Sequence, residues 1–181
     1  YVTQTGKRPV CVLNIVGGIG FGGGIVINGE VFRGHRGAAG EVGHLGINFN
    51  SVVRGSEADR PGLNGLFEDF ASPRALCSSV ASRLLDFPQT VLTEDSTAEE
   101  IYAAFEAGDP LADWAMNRMC QMTAYGLAGL VFVLNPDLIV LGDKFPVSPG
   151  FLERLNSHLE RYLPPVLMEL LEVRVSRWGN E

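Results

Sequence analysis

The sequence predicts an α/β fold in which helices flank a mixed sheet, and three observations carry that prediction. Glycine-punctuated, β-rich segments open the chain, capped helical segments fill its middle, and its last third alternates strand, helix and strand. At 181 residues it suits a single domain, since a domain takes roughly 150 residues. With 46% hydrophobic and 19% charged residues it can bury a real core.

The elements follow in order. "VCVLNIV" (10–16) is a nearly continuous β-rich run, and the glycine run "GGIGFGGG" (17–24) reads as the turn that ends it. Asn28-Gly29 between apolar runs predicts a hairpin, because both central residues of a type I′ turn need positive φ. The stretch 33–65 is glycine-rich and polar. Ser72-Pro73 then supplies an N-cap and first helical residue for "RALCSSVASRLLDF" (74–87). Ser96 with Glu99 reads as a capping box for "TAEEIYAAFEA", which Gly108 stops. Asp109-Pro110 opens a long helix that runs to the breaker Asn135-Pro136. Its Gly126 and Gly129, about one turn apart, suit close packing against a sheet or a partner helix. "DLIVLGD" (137–143) reads as a buried strand, "PGFLERLNSHLERYL" (149–163) as amphipathic helix and "LEVRVS" (171–176) as strand.

Charge and composition exclude several functions. A formal charge of −7 repels phosphate backbones, so any DNA contact needs another segment. The three cysteines, Cys11, Cys77 and Cys120, are far apart in apolar settings and read as inert thiols of a reducing cytoplasm. The longest apolar run, around 127–134, is too short to span a bilayer, which predicts no membrane partner. The opening "YVTQTGKRPV" lacks the features of a targeting peptide, and the chain reads as a fragment.

Glycines after a strand suggest a phosphate cradle, but a dinucleotide fingerprint or Walker loop requires a helix next, and here the hairpin "IVINGEVF" follows. Strand, glycine turn and strand is instead how actin-like and hexokinase-like folds wrap nucleotide phosphates; a tight hairpin is the plainer alternative. Downstream, "GAAGEVGHLG" (37–46) sets Glu41 three residues before His44. A metal site, a catalytic dyad or a hydrogen-bonding grip on a polyhydroxylated molecule would each use such a pair; a solvated turn would need neither. His35 between Arg33 and Arg36 reads as loop surface, and His158 among Glu153, Arg154, Glu160 and Arg161 as a solvated helix face.

"GIGFGGGIVINGEVFRGHRGAAGEVGH" (18–44), "GLNGLFEDFAS" (62–72) and "NPDLIVLGD" (135–143) together resemble the ROK family, the sugar kinases and sugar-responsive repressors named for repressor, open reading frame and kinase. The resemblance implies an actin-like/hexokinase-like (ribonuclease H-like) domain. It implies that Glu41, His44 and Glu68 contact a sugar or amino sugar, and that Gly18, Gly20 and Gly22 are the phosphate-facing glycines. By residue type alone, Glu68 could equally be a charge complementing a helix N-terminus.

Departures from the family pattern shape the reading. The family's His joins three cysteines of a Cys-x-Cys-Gly-x-x-Gly-Cys-x-Glu segment on zinc; "DRPGLNGLFE" (59–68) has Asp59, Pro61 and Leu66 at the cysteine places, so no structural zinc is expected. Asp59 is a candidate for orienting His44 in its stead. Ile19 replaces a small hydroxyl residue of the kinase loop, Asp143 replaces a glycine, and no aspartate precedes Asp59 to serve as the family's general base. No catalytic residue and no cofactor are therefore expected. The chain reads over 1–181 as a single C-terminal effector-binding, dimerising domain of a transcriptional regulator. DNA would be reached only through a missing N-terminal part. The alternatives are a sugar kinase whose catalytic half is missing, and an assembly module that no longer binds a ligand.

Overall fold

The computed structural model describes residues 6–17, 20–48, 65–142 and 144–176. Its centre is a five-stranded sheet of order β3-β2-β1-β4-β5. The long β-rich run becomes β1 (Cys11–Gly17), paired antiparallel with β2 (Phe21–Ile27) from Cys11↔Ile27 to Gly17↔Phe21. β3 (Glu30–Val31) extends the antiparallel edge. On the other side of β1 lie β4 (Leu138–Leu141) and β5 (Glu172–Val175), both parallel, so the predicted mixed sheet is present. Asn28 at φ 53° and Gly29 at φ 84° form the expected turn with both central residues left-handed.

The glycines are used differently from the sequence reading. Gly22, Gly23 and Gly24 lie inside β2, opposite Val16, Ile15 and Asn14, instead of in the turn expected for them. Gly18 and Ile19 fall outside the described residues, as do Asp59, Pro61, Gly62 and Asp143.

Among the described residues, four of the six α-helices start at a side-chain cap. Glu68–Ala71 (α1) ends at Ser72, whose hydroxyl caps Pro73–Ala81 (α2) by accepting from Ala75 N at 3.2 Å. The helix expected to reach residue 87 stops at Ala81. The hydroxyls of Ser78 and Ser79 bond back to the carbonyls of Arg74 and Ala75, a competition that weakens helices, and Leu85 is left almost wholly exposed. Ala98–Glu106 (α3) has a capping box, one residue later than expected. Thr97 and Glu100 satisfy each other's backbone N–H groups, while Ser96 Oγ accepts from Thr93 N at 2.9 Å. Pro110–Leu134 (α4) begins at Asp109 and ends at Asn135 with φ 44°. Ser148 caps Pro149–Tyr162 (α5), and a short turn of helix, Pro165–Met168 (α6), leads into β5.

Leu13 and Ile15 of β1 and Ile139 and Leu141 of β4 face one side of the sheet and meet the apolar faces of α4 and α5 in the main core. α4 is the hub of this layer, packing against α1, α2, α3 and α5. His158 is buried here, in contrast to the expected solvated face. It extends the stripe Phe151, Leu155, Leu159 of α5, and its Nε2 lies 3.0 Å from Asn117 Oδ1 of α4. Burial, aided by the charges of Arg161 and Arg154, lowers its pKa. The three cysteines are free thiols, and burial pushes the Cys120 thiol up to about 12.

The two glycines of α4 separate cleanly. A Cβ on Gly126 would sit 2.6 Å from the ring of the wholly buried Phe67, whereas one on Gly129 meets nothing within 4 Å. Gly126→Ala is expected to destabilise by about 1–3 kcal/mol through overpacking. Gly129→Ala is expected to be neutral or stabilising by up to about 1 kcal/mol, the helix-propensity gain. Urea denaturation midpoints of the two variants check the contrast.

Candidate functional site

Two glycine contacts and one strand-like pairing assemble the polar cluster. The segment after β3 returns along β2, and its backbone lies so close that a Cβ on Gly40 would be 2.0 Å from Gly23 O and one on Gly43 2.4 Å from Phe21 O. Buried Val42 fastens the turn between them, a single turn of 3₁₀ helix at Val42–His44. Gly46 then bridges Leu66 in antiparallel fashion, Phe67 N donates to Leu45 O at 2.8 Å, and Ile47 N donates to Gly65 O at 2.8 Å. This pairing brings the start of α1 beside the 3₁₀ turn, although 24 residues separate His44 from Glu68 in the chain.

Phe67 points into the core, edge-on to Phe21 at 5.1 Å between ring centroids, and so Glu68 points the other way. His44 stands between the two acids. Its Nδ1 is 3.8 Å from Glu41 Oε2 and its Nε2 is 3.8 Å from Glu68 Oε1. Glu68 also accepts from Phe21 N at 3.3 Å through its other oxygen. The three side chains named from the sequence therefore converge, with side-chain exposures of 67% for Glu41, 45% for His44 and 21% for Glu68.

The cluster is rich in acceptors and accessible, and its gaps exceed hydrogen-bond reach, so a hydroxyl placed between the groups could bond to both sides. Two carboxylates repel an anionic ligand and favour a neutral one that donates. Leu66, at a family cysteine place, is a buried apolar side chain that cannot ligate zinc, and among the described residues no group of three His, Cys, Asp or Glu could hold a metal.

Of the glycines expected to face phosphate, Gly20 lies against Glu68 and Gly22 lies in β2 opposite Val16. A separate cavity of about 600 Å³ adjoins the cluster. It is lined by Glu41 and otherwise by apolar groups, among them Leu45, Ile47, Tyr125, Phe132 and Tyr162; His44 and Glu68 do not reach it. His35 is exposed in the turn at His35–Gly37 and takes no part.

A sheet of this order and direction, with a strand-turn-strand glycine loop and helices on its core face, defines the actin-like, hexokinase-like class of domain. Within that class the chain belongs to the ROK family, whose profile matches residues 2–181. It is 38% identical over 145 residues to a putative xylose repressor of Caldicellulosiruptor sp. (strain Rt8B.4), covering 77% of this chain and 35% of that protein. It is 28% identical over 177 residues to a glucokinase of Halalkalibacterium halodurans, covering 94% of this chain and 52% of that one. The structure resembles that of a ROK family transcriptional regulator, a homologue of the E. coli Mlc protein, with a TM-score of 0.82 and 26% identity over 95% of this chain and 43% of the other. The chain thus spans about a third to a half of the length of these relatives. Repressors and sugar kinases both stand among them. Among the described residues no helix is long and apolar enough to cross a membrane.

Proposed function

We propose that this chain is the effector-binding lobe of a sugar-responsive transcriptional regulator, with Glu41, His44 and Glu68 contacting the sugar's hydroxyls. The observation that carries the reading is the convergence of these three side chains from two separate segments, each His44 ring nitrogen facing one acid. Adjacent sugar hydroxyls both donate and accept, which matches two carboxylates and an imidazole better than it matches an anion or a metal. The putative xylose repressor among its relatives, and the Ile19 and Asp143 departures from the kinase pattern, support the regulator over the enzyme.

In this reading the lobe contributes allosteric coupling. Sugar binds two arrangements of the protein unequally, and the difference alters the spacing of DNA-binding parts that lie outside residues 1–181. The protein acts in the cytoplasm as a homodimer. Tyr125, Phe132 and Val133, exposed on α4 beside the Gly40–Ile47 side of the apolar cavity, are the surface we assign to dimer packing. A Phe132→Glu change is the direct check on that assignment by sedimentation.

Calorimetry with xylose, glucose, N-acetylglucosamine and N-acetylmannosamine tests the sugar site. Binding of at least one is expected, and Glu41→Ala is expected to weaken it about tenfold, the size of one charge-assisted hydrogen bond. Melting should stay within about 1 °C of the parent, because two-thirds of the Glu41 side chain is exposed. Absence of heat with every sugar removes the reading. The glucokinase alignment, which covers 94% of the chain, favours a second one, an ATP-dependent sugar kinase. Sugar-dependent ADP production by the full-length protein would replace the first reading with the second.

A further inference from the structure

The glycine run meets the polar cluster at one point, and there the geometry assigns it a role. Phe21 N–H, the first donor of β2, points at Glu68 Oε2 at 3.3 Å. Gly20, next to it, faces the same oxygen: a Cβ built there would lie 2.8 Å from Oε2 and 3.9 Å from Cδ of Glu68, and no other described neighbouring atom is within 4 Å. Gly20 does not have a positive φ, so an alanine fits the backbone, and the obstacle to it is the end of one side chain.

We propose that Gly20 and the Phe21 N–H form a clamp that positions the Glu68 carboxylate, so that a loop of the phosphate-cradling type here holds an internal acid. One Glu68 oxygen, Oε2, is held by β2, while the other, Oε1, faces His44 Nε2. A bidentate carboxylate fixed at one oxygen presents the other in a set direction, which lowers the cost of ordering it when a ligand binds. Gly20 and Phe21 are positioning residues, and this role rests on the sugar-site reading given above.

The test uses Gly20→Ala, with Gly24→Ala as the control. Gly24 lies in the same strand as Phe21, and a Cβ there meets only Asn14 Cβ of β1 at 3.9 Å, an ordinary contact. With the tightest-binding of the four sugars above, Gly20→Ala is expected to weaken affinity about tenfold and Gly24→Ala less than twofold, with unchanged melting in both. In a Glu68→Ala background the Gly20→Ala change should lose its effect, since the group it displaces is gone.

A second readout needs no sugar. The Phe21 amide proton resonance should move upfield in both Gly20→Ala and Glu68→Ala, as the hydrogen bond is lost, and stay in place in Gly24→Ala. An unmoved Phe21 amide in Gly20→Ala, or an equal affinity loss with and without the Glu68 side chain, overturns the clamp. If the parent binds no sugar, the sugar-site reading fails by itself and the amide resonance still decides whether the clamp exists.

Discussion

Gly43→Ala is expected to lower the melting temperature by about 6–12 °C and to abolish measurable sugar binding. The added methyl would lie 2.4 Å from Phe21 O, 2.7 Å from Phe21 Cβ and 3.1 Å from Phe21 C. Two of those atoms are backbone of a residue paired with Gly17 of β1, and Phe21 itself is wedged against Phe67 and Phe145. No rotamer change relieves such a clash, so the 3₁₀ turn must lift away from β2. Its cost is at the upper end of overpacking, about 3 kcal/mol, and for a chain of this size each kcal/mol moves melting by about 2–4 °C. Lifting the turn carries His44 away from Glu68 and exposes Val42, so binding falls together with stability. Thermal denaturation and calorimetry on one preparation check both effects. A melting temperature within about 2 °C of the parent would mean that the turn does not press on β2 as described.

Asp109→Ala is expected to destabilise by about 3–4 kcal/mol, combining a lost N-cap of up to about 2 kcal/mol with buried donors left unsatisfied. Asp109 is 8% exposed and accepts from Leu111 N and Ala112 N at the start of α4, and from Val91 N and the Thr90 hydroxyl in the segment between α2 and α3, each at 2.9 Å. It therefore fixes the hub helix and ties the loop after α2 to it. Asp109→Asn keeps one acceptor oxygen for the helix but turns an NH₂ toward the loop donors, and about half the loss is expected.

Burial would raise the Asp109 carboxyl, but the N–H groups of Ala112 and Val91, the Thr90 hydroxyl and Leu111 N outweigh it and hold the carboxyl below its ordinary value. A depressed folded-state pKa means that the unfolded chain binds the proton first. This contribution to stability is complete above the ordinary carboxylate value near about 4 and is lost as pH falls through the lower folded-state value. Urea midpoints measured between pH 6 and pH 3 should fall less steeply in Asp109→Asn than in the parent. Equal slopes would show that Asp109 does not carry this share of the acid sensitivity.

The sequence by itself determined the local elements wherever a side chain and the backbone within four residues settle the matter. The Asn28-Gly29 turn, the caps at Ser72 and Asp109, and the stops at Gly108 and Asn135 all formed as expected, because each depends on a short hydrogen bond or a permitted φ. Local competition also explains two misplacements: Ser96 and Thr97 are both competent caps, and serine back-bonding ended α2 early.

The candidate site was legible as residue types in a family order, but its assembly was not. Glu41, His44 and Glu68 meet only because glycines let one backbone lie on another and because Gly46 pairs with Leu66. The same limit hid His158, whose place in the Phe151, Leu155, Leu159 stripe was readable from spacing but whose partner Asn117 belongs to another helix. Tertiary structure alone decided these points, since contacts between distant segments depend on how surfaces pack, and a sequence records the shapes to be packed without the distances between them.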